Sequence, residues 1–418
     1  MHIFQAVLVL LCTAPAVLAE TAVDRSAPPV PRPAETVVTG TREVPADLGF
    51  AAWVEGFRAR ALAQGVRAEV FDRAMRGLAF DPDVVSRDRN QAEFSRQIWD
   101  YLDRAVSPAR IDNGLAALGD HGAVLAEIEA RYGVEAEVVA AIWGLETGYG
   151  TFRGDVPILS AMASLAYDGR RARFFEAQLI AALKIVQAGD VAPADMLGSW
   201  AGAMGHTQFM PTSYLGLAVD FTGDGRRDIW GDDPSDALAS TAAYLQDRGW
   251  TRGQPWGVEV VLPDGFDFAL AGDHLRKPAG FWNGLGVRDS SGAALAAHGP
   301  VSILLPAGHR GAAFAVYGNF HVLKRYNPAD AYAIGVGHLA DRLAGGPAIL
   351  ADWPRDDPAL SFDERQELQR LLLAAGFDPK GADGIVGPNT VRAVRAYQAS
   401  AGLVPDGYAS ADLLERLR

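Results

Sequence analysis

Apolar residues recur at helical spacing along most of the chain between residues 50 and 346. The period predicts helices over Trp53–Gln64, Ala92–Arg104, Gly122–Tyr132, Glu135–Glu146, Ala172–Ala188 and Asp236–Arg248. Two runs, Gly257–Leu262 and Val301–Leu305, read instead as strands, so a small β-containing insertion is expected within a mainly helical, α+β chain. The segment Val138-Val-Ala-Ala-Ile-Trp-Gly-Leu145 is apolar on every face, which predicts a buried helix, and Gly148 and Gly150 supply its stop. Glu146 closes that run. Burial and the negative end of the helix dipole both disfavour a carboxylate there and raise its pKa toward that of a general acid. The plainer alternative is a glutamate paired with a buried arginine.

Outside the periodic region the chain changes character. Ile3–Cys12 is apolar and Val17-Leu18-Ala19 offers a small-residue cleavage site, so residues 1–19 read as a secretory signal peptide, although its start carries only His2 and no Lys or Arg. Residues 20–48, with Pro28-Pro-Val-Pro-Arg-Pro33, read as a disordered leader, and residues 349–359 as a linker to a compact tail over 360–418. The single cysteine, Cys12, falls in the signal segment, so no disulfide is expected in the mature protein, and Leu11 before it argues against a lipid anchor. No stretch reaches the roughly 20 apolar residues of a membrane span. No internal repeat is visible.

The 418 residues carry 49% hydrophobic residues and a net charge of −13, which argues against a nucleic-acid partner and leaves a neutral polysaccharide open. A periplasmic location is expected. The eight histidines form no close pair, so zinc is not expected, and His206 reads as a groove-lining or structural residue; no Gly-x-Ser-x-Gly elbow is present.

Candidate chemistry begins again at Ser199-Trp-Ala-Gly-Ala-Met-Gly-His-Thr-Gln-Phe-Met-Pro-Thr-Ser-Tyr214, where Gly202 and Gly205 permit close backbone approach and Gln208 offers two-sided hydrogen bonding. Alone, it could be a tight corner between helices. Together, Glu146-Thr-Gly-Tyr-Gly150 and this segment closely resemble the two signatures of the membrane-bound lytic murein transglycosylase B family. The resemblance covers roughly Phe50 to Gly346 and takes in Gln91-Ala-Glu-Phe94, Val106-Ser-Pro-Ala-Arg-Ile111 and Tyr326-Asn-Pro-Ala-Asp-Ala-Tyr-Ala333. It implies a lysozyme-like catalytic domain over residues 49–348, with Glu146 the sole acid/base and Ser199 hydrogen-bonded to it as its orienting hydroxyl. Asn327 would contact the substrate acetamido group or Glu146, and Gln208, Tyr101, Tyr244 and Tyr332 would line the glycan groove, core packing being the alternative for each tyrosine. Thr212, where Ser is common, and Pro328 after Asn327 are mild departures.

Ordinary glycosidases use two carboxylates, whereas the segment after Glu146 supplies only Asp155 and, at a distance, Asp168. The resemblance implies that the substrate acetamido oxygen replaces the second carboxylate. The β-1,4 bond between N-acetylmuramic acid and N-acetylglucosamine is then cleaved, the muramyl 6-hydroxyl closes onto C1, and a 1,6-anhydro end forms without consumption of water. A lysozyme-type hydrolase using Asp155 and a non-catalytic wall-binding or scaffolding protein are the alternatives.

Asp220-Phe-Thr-Gly-Asp-Gly-Arg-Arg-Asp-Ile-Trp-Gly231 resembles an EF-hand loop. It has Asp220, Thr222, Asp224 and Asp228 at side-chain ligand positions, Arg226 at the backbone-carbonyl position and Gly225 at the sharp turn. Gly231 stands where a bidentate Glu is usual. The resemblance points to Asp236 as the closing ligand, with Asp232 and Asp233 as nearer alternatives, so a weak structural calcium site is expected and no cofactor is required. The alternative is an Asp/Gly turn held by its own hydrogen bonds. The tail, with Asp383, Gly384, Gly387, Pro388 and Thr390, resembles the three-helix peptidoglycan-binding domain 1 module, which would tether the enzyme to its polymer.

Overall fold

The computed structural model describes residues 48–89 and 96–418. Apart from Leu48, the expected signal peptide and leader lie outside the described residues, as does the Gln91-Ala-Glu-Phe94 motif. Among the described residues no helix is long and apolar enough to cross a membrane.

The helix Ala136–Thr147 is the axis of the main core. Val139, Ala140, Ala141 and Ile142 are fully buried, because the helices Pro108–Asp120, Gly122–Tyr132, Ser235–Asp247 and Asp330–Leu343 pack around it. That enclosure explains an apolar run with no polar face. The helix ends in three successive left-handed residues, Gly148 at φ +59°, Tyr149 at +61° and Gly150 at +80°. The expected helices are present at Leu48–Ala63, Gly122–Tyr132, Ala136–Thr147, Ala172–Ala188 and Ser235–Asp247. The one expected from Ala92 begins, among the described residues, at Ile98 and runs to Ala105. A second long helix, Ile158–Asp168, packs against Ala172–Ala188.

The β-containing insertion is a five-stranded antiparallel sheet in the order 277–278, 300–304, 313–316, 257–261, 288–289. Its central strands alternate between two cores. Val301, Ile303, Ala313 and Ala315 face a local cluster around Trp282 and Tyr317, while Leu304, Phe314 and Val316 face the main helical core. A sheet covered on both sides needs no polar face, which is why Val301–Leu305 is apolar but for the buried Ser302.

The tail folds into helices Phe362–Ala374, Pro388–Ser400 and Ala411–Leu417 around Leu368, Leu372, Val394, Leu413 and Leu414. Its signature residues are structural. Buried Gln369 donates Nε2 to Asp383 Oδ1, Ile385 O and Thr390 Oγ1 and accepts from Gly384 N. Gln398 repeats part of the device on the second Asp-Gly pair, donating to Asp406 Oδ1 at 2.7 Å and accepting from Gly407 N at 2.8 Å.

The segment read as a linker is fastened along its length. Leu350 N and Ala351 N donate to Glu259, Trp353 lies against Trp99, and Arg355 pairs with Asp103. His309 Nδ1 lies 2.6 Å from Asp406 Oδ2, and Arg395 donates to Ala271 O, so the module is docked on the β-containing insertion.

Candidate active site

Glu146 occupies the last turn of the central helix and is partly buried. Its Oε1 accepts a 2.6 Å hydrogen bond from the Tyr332 hydroxyl, and among the described residues it forms no ion pair. Burial pushes its pKa up to about 7 and the Tyr332 hydrogen bond opposes the shift; no neighbouring carboxylate contributes. The acid is therefore protonated in a good fraction of molecules near neutrality. Its partner is a phenol rather than the arginine of the plainer alternative.

Tyr332 reaches Glu146 from the first turn of the helix Asp330–Leu343. Asn327 turns the chain into that helix, accepting from Ala329 N through Oδ1 at 3.2 Å. The Tyr326 and Tyr332 rings lie parallel, 6.5 Å apart, and Tyr326 donates to Thr207 O at 2.6 Å. One turn along, Gly335 admits Tyr101: a Cβ there would lie 2.9 Å from the Tyr101 ring. Burial raises the pKa of Tyr101, Tyr326 and Tyr332, and the charge of Glu146 adds to each, so all three stay neutral phenols around the carboxyl.

The Gly-rich segment folds back on itself. Ser199 N donates to Ala203 O at 2.8 Å and Ser199 Oγ accepts from Ala203 N at 3.0 Å. The bond expected between Ser199 and Glu146 is not among those formed in the described residues; Tyr332 makes it instead. Gln208 takes a positive φ of +56° and donates Nε2 to Arg153 O and Gly205 O, which joins two loops. Tyr244 is buried, donates to Arg325 O at 2.6 Å and packs edge-on against Phe209 and Tyr326, a core position.

The acidic loop gathers Asp220, Asp224 and Asp236, each offering a carboxylate oxygen within 4.8 Å of the others. Hard oxygen donors at that separation suit a divalent cation such as calcium. Buried Asp236 also accepts from Phe221 N, Thr222 N and Asp228 N, so it closes the loop. The other acids are spent elsewhere: Asp228 Oδ1 on Trp230 N and Gly231 N, Asp232 on Arg153, Asp233 on Ser235. Thr222 donates to Asp220 at 3.5 Å, and Arg226 N donates to Asp224. Asp155 is exposed.

The profile of the transglycosylase SLT domain matches residues 49–341, and that of a peptidoglycan binding domain matches residues 362–417. This chain belongs to the transglycosylase SLT family. The membrane-bound lytic murein transglycosylase B of Escherichia coli strain K12 is 32% identical over 258 residues, which span 58% of this chain and 66% of that relative. Among family members of known structure, SltB3 from Pseudomonas aeruginosa, in complex with NAG-NAM-pentapeptide or with NAG-anhNAM-pentapeptide, aligns at TM-score 0.86 and 52% identity, covering 88% of this chain and 99% of that one. The Escherichia coli lytic transglycosylase Slt35 in complex with calcium aligns at TM-score 0.61 and 27% identity, covering 70% of this chain and 92% of that one. The chain is thus homologous to lytic transglycosylases, peptidoglycan-cleaving lyases with a lysozyme-like fold that need no cofactor for the reaction.

Two residues of the site escaped the reading of the sequence. Tyr326 was visible only as the first residue of Tyr-Asn-Pro, and its pairing with Tyr332 depends on the turn at Asn327. Arg153 gave no signal, yet it donates to Gly231 O and pairs with Asp232 beside His206.

Proposed function

We propose that the protein cleaves the β-1,4 bond between N-acetylmuramic acid and N-acetylglucosamine with Glu146 as its only acid/base and releases 1,6-anhydro ends. The observation that carries this reading is Glu146 itself: raised to about 7 by burial, hydrogen-bonded through one oxygen to Tyr332, and unassisted by a second carboxylate. Glu146 gives its proton through the oxygen that Tyr332 leaves free, and the C1–O bond breaks toward the glucosamine 4-hydroxyl. The acetamido carbonyl oxygen of the muramyl residue closes onto C1 and carries the positive charge. Tyr332 holds the new carboxylate, which then takes the proton of the 6-hydroxyl as that oxygen attacks C1 and displaces the acetamido oxygen. Glu146 ends protonated, as it began, and no water is consumed.

Ser199, whose Oγ accepts from Ala203 N and keeps its proton to donate, is assigned to orienting Glu146 once substrate is bound, and Asn327, whose Oδ1 accepts from Ala329 N and whose amide NH2 stays free among the described residues, to the substrate acetamido group or Glu146; Gln208 and Tyr101 line the groove. Asp220, Asp224 and Asp236 are proposed to hold a structural calcium ion. The tail is proposed to bind peptidoglycan, and the leading apolar segment to direct export to the periplasm.

The test is mass spectrometry of soluble products from peptidoglycan sacculi treated with the native protein and with Glu146→Gln. Anhydro-muropeptides from the native protein alone are expected. Reducing ends would make the protein a hydrolase, and no products from either would make it a wall-binding protein.

A further inference from the structure

His206 is buried within the Gly-rich segment and is not part of the chemistry above. Its ring is held from both sides. Trp143 Nε1 donates to Nδ1 at 3.1 Å, so Nε2 carries the proton and donates to Gly231 O at 2.8 Å. Burial and the guanidinium of Arg153, 3.0 Å from Nε2, keep the ring neutral. The backbone is held as well: Thr147 Oγ1 donates to His206 O at 2.6 Å, and His206 N donates to Ile229 O at 3.0 Å.

These bonds reach two different elements. Trp143 and Thr147 stand one turn apart on the central helix, so they share the face adjoining Glu146. Ile229 and Gly231 belong to the acidic loop, where Gly231 N donates to Asp228 Oδ1 and Asp228 N to the closing Asp236. Gly150 is pressed against the same ring: a Cβ there would lie 2.6 Å from Nδ1. One neutral imidazole therefore joins the acidic loop to the turn of helix that carries the acid.

We propose that His206 is a positioning residue which fixes the register of the catalytic helix against the acidic loop and so holds Glu146 at its hydrogen bond with Tyr332. The proposal rests on Glu146 being the acid. His206→Phe fills the space but neither accepts from Trp143 nor donates to Gly231, whereas His206→Gln offers one acceptor and one donor at comparable separation. Trp143→Phe deletes the donor, at the cost of some buried ring volume, and tests the same link should His206→Phe fail to fold.

The experiment measures kcat, KM and the pH dependence of kcat/KM on sacculi for these three variants, with native protein and Glu146→Gln alongside. His206→Phe and Trp143→Phe are expected to lower kcat by about ten- to a hundredfold, the size of effect a small misplacement of a catalytic group produces, with KM within about twofold and the alkaline limb displaced. His206→Gln is expected to restore most of kcat and the native limb. If the folded His206→Phe and Trp143→Phe proteins keep the native kcat and limb, or if His206→Gln is as impaired as His206→Phe, the proposal is overturned. An inactive native protein would overturn the assignment of Glu146 along with it, a result distinguishable from failure of the His206 variants alone.

Discussion

Removing the Tyr332 hydroxyl isolates the one contact among the described residues that favours the charged form of Glu146. In Tyr332→Phe the ring remains stacked near Tyr326 while the 2.6 Å hydrogen bond is lost. A hydrogen bond to a carboxylate contributes about 1.5–3 kcal/mol, and about 1.4 kcal/mol corresponds to one pKa unit, so Glu146 should rise from about 7 by roughly one to two units. The direction follows from its role. Glu146 must start protonated, so kcat/KM falls as pH rises through its pKa, and that profile reports the free enzyme. Tyr332→Phe should move the alkaline limb upward by at least about one unit and, because the carboxylate formed during cleavage loses its donor, lower the plateau by about tenfold or more. Tyr101 and Tyr326 also face the carboxyl, but their pKa values are raised, so neither titrates in this window. The assay is the initial rate of soluble muropeptide release from sacculi between about pH 4.5 and 9, a window bracketing the glutamate reference value and the raised one. A limb that stays put, or moves down, would refute the reasoning.

Glu146→Gln should stabilise the fold at alkaline pH and not at acidic pH. The raised folded-state pKa makes native Glu146 cost stability as pH climbs from about 4.5 through about 7, a loss of up to roughly 3 kcal/mol, reduced to about 1–2 by partial exposure; melting temperatures of the two proteins should converge below that window and separate above it. Asp236→Ala should destabilise by about 3–5 kcal/mol, since three loop N–H groups lose their acceptor, and any rise of melting temperature with added calcium should vanish. Gln369→Ala should unfold the tail preferentially, at a cost of about 2–4 kcal/mol, seen as lost binding to sacculi by Glu146→Gln, Gln369→Ala relative to Glu146→Gln. Gly335→Val should drive Tyr101 out of its seat and reduce kcat while leaving the tail's sacculus binding intact.

The helices that carry most of the site were legible where one element met its environment in a simple way. Ala136–Thr147 is enclosed on all sides and announced itself by an unbroken apolar run with two glycines after it; Ala172–Ala188 has the bounds expected. The Asp330–Leu343 helix was harder to read, because it is buried around much of its circumference and opens two residues after a proline. The same limit applied to Tyr332. A resemblance supplied the residue, but not that its hydroxyl meets Glu146, since the pairing spans 186 positions of sequence and depends on the turn at Asn327. Ser199 shows the converse: its place in the motif suggested a partner in Glu146, while the tight return of the loop gives its oxygen to Ala203. The residues taken for a linker were read from Pro and Asp content, which says nothing of Glu259, Trp99 and Asp103 waiting to hold them.

The central claim is that one acid, without water, carries out the cleavage, and digestion of sacculi in heavy-oxygen water tests it most directly. Mass spectra of the released muropeptides should show 1,6-anhydro termini with no heavy oxygen at the muramyl C1, and none of these products with Glu146→Gln. Heavy oxygen at that carbon would mean that water, not the muramyl 6-hydroxyl, attacks C1, and would contradict the account.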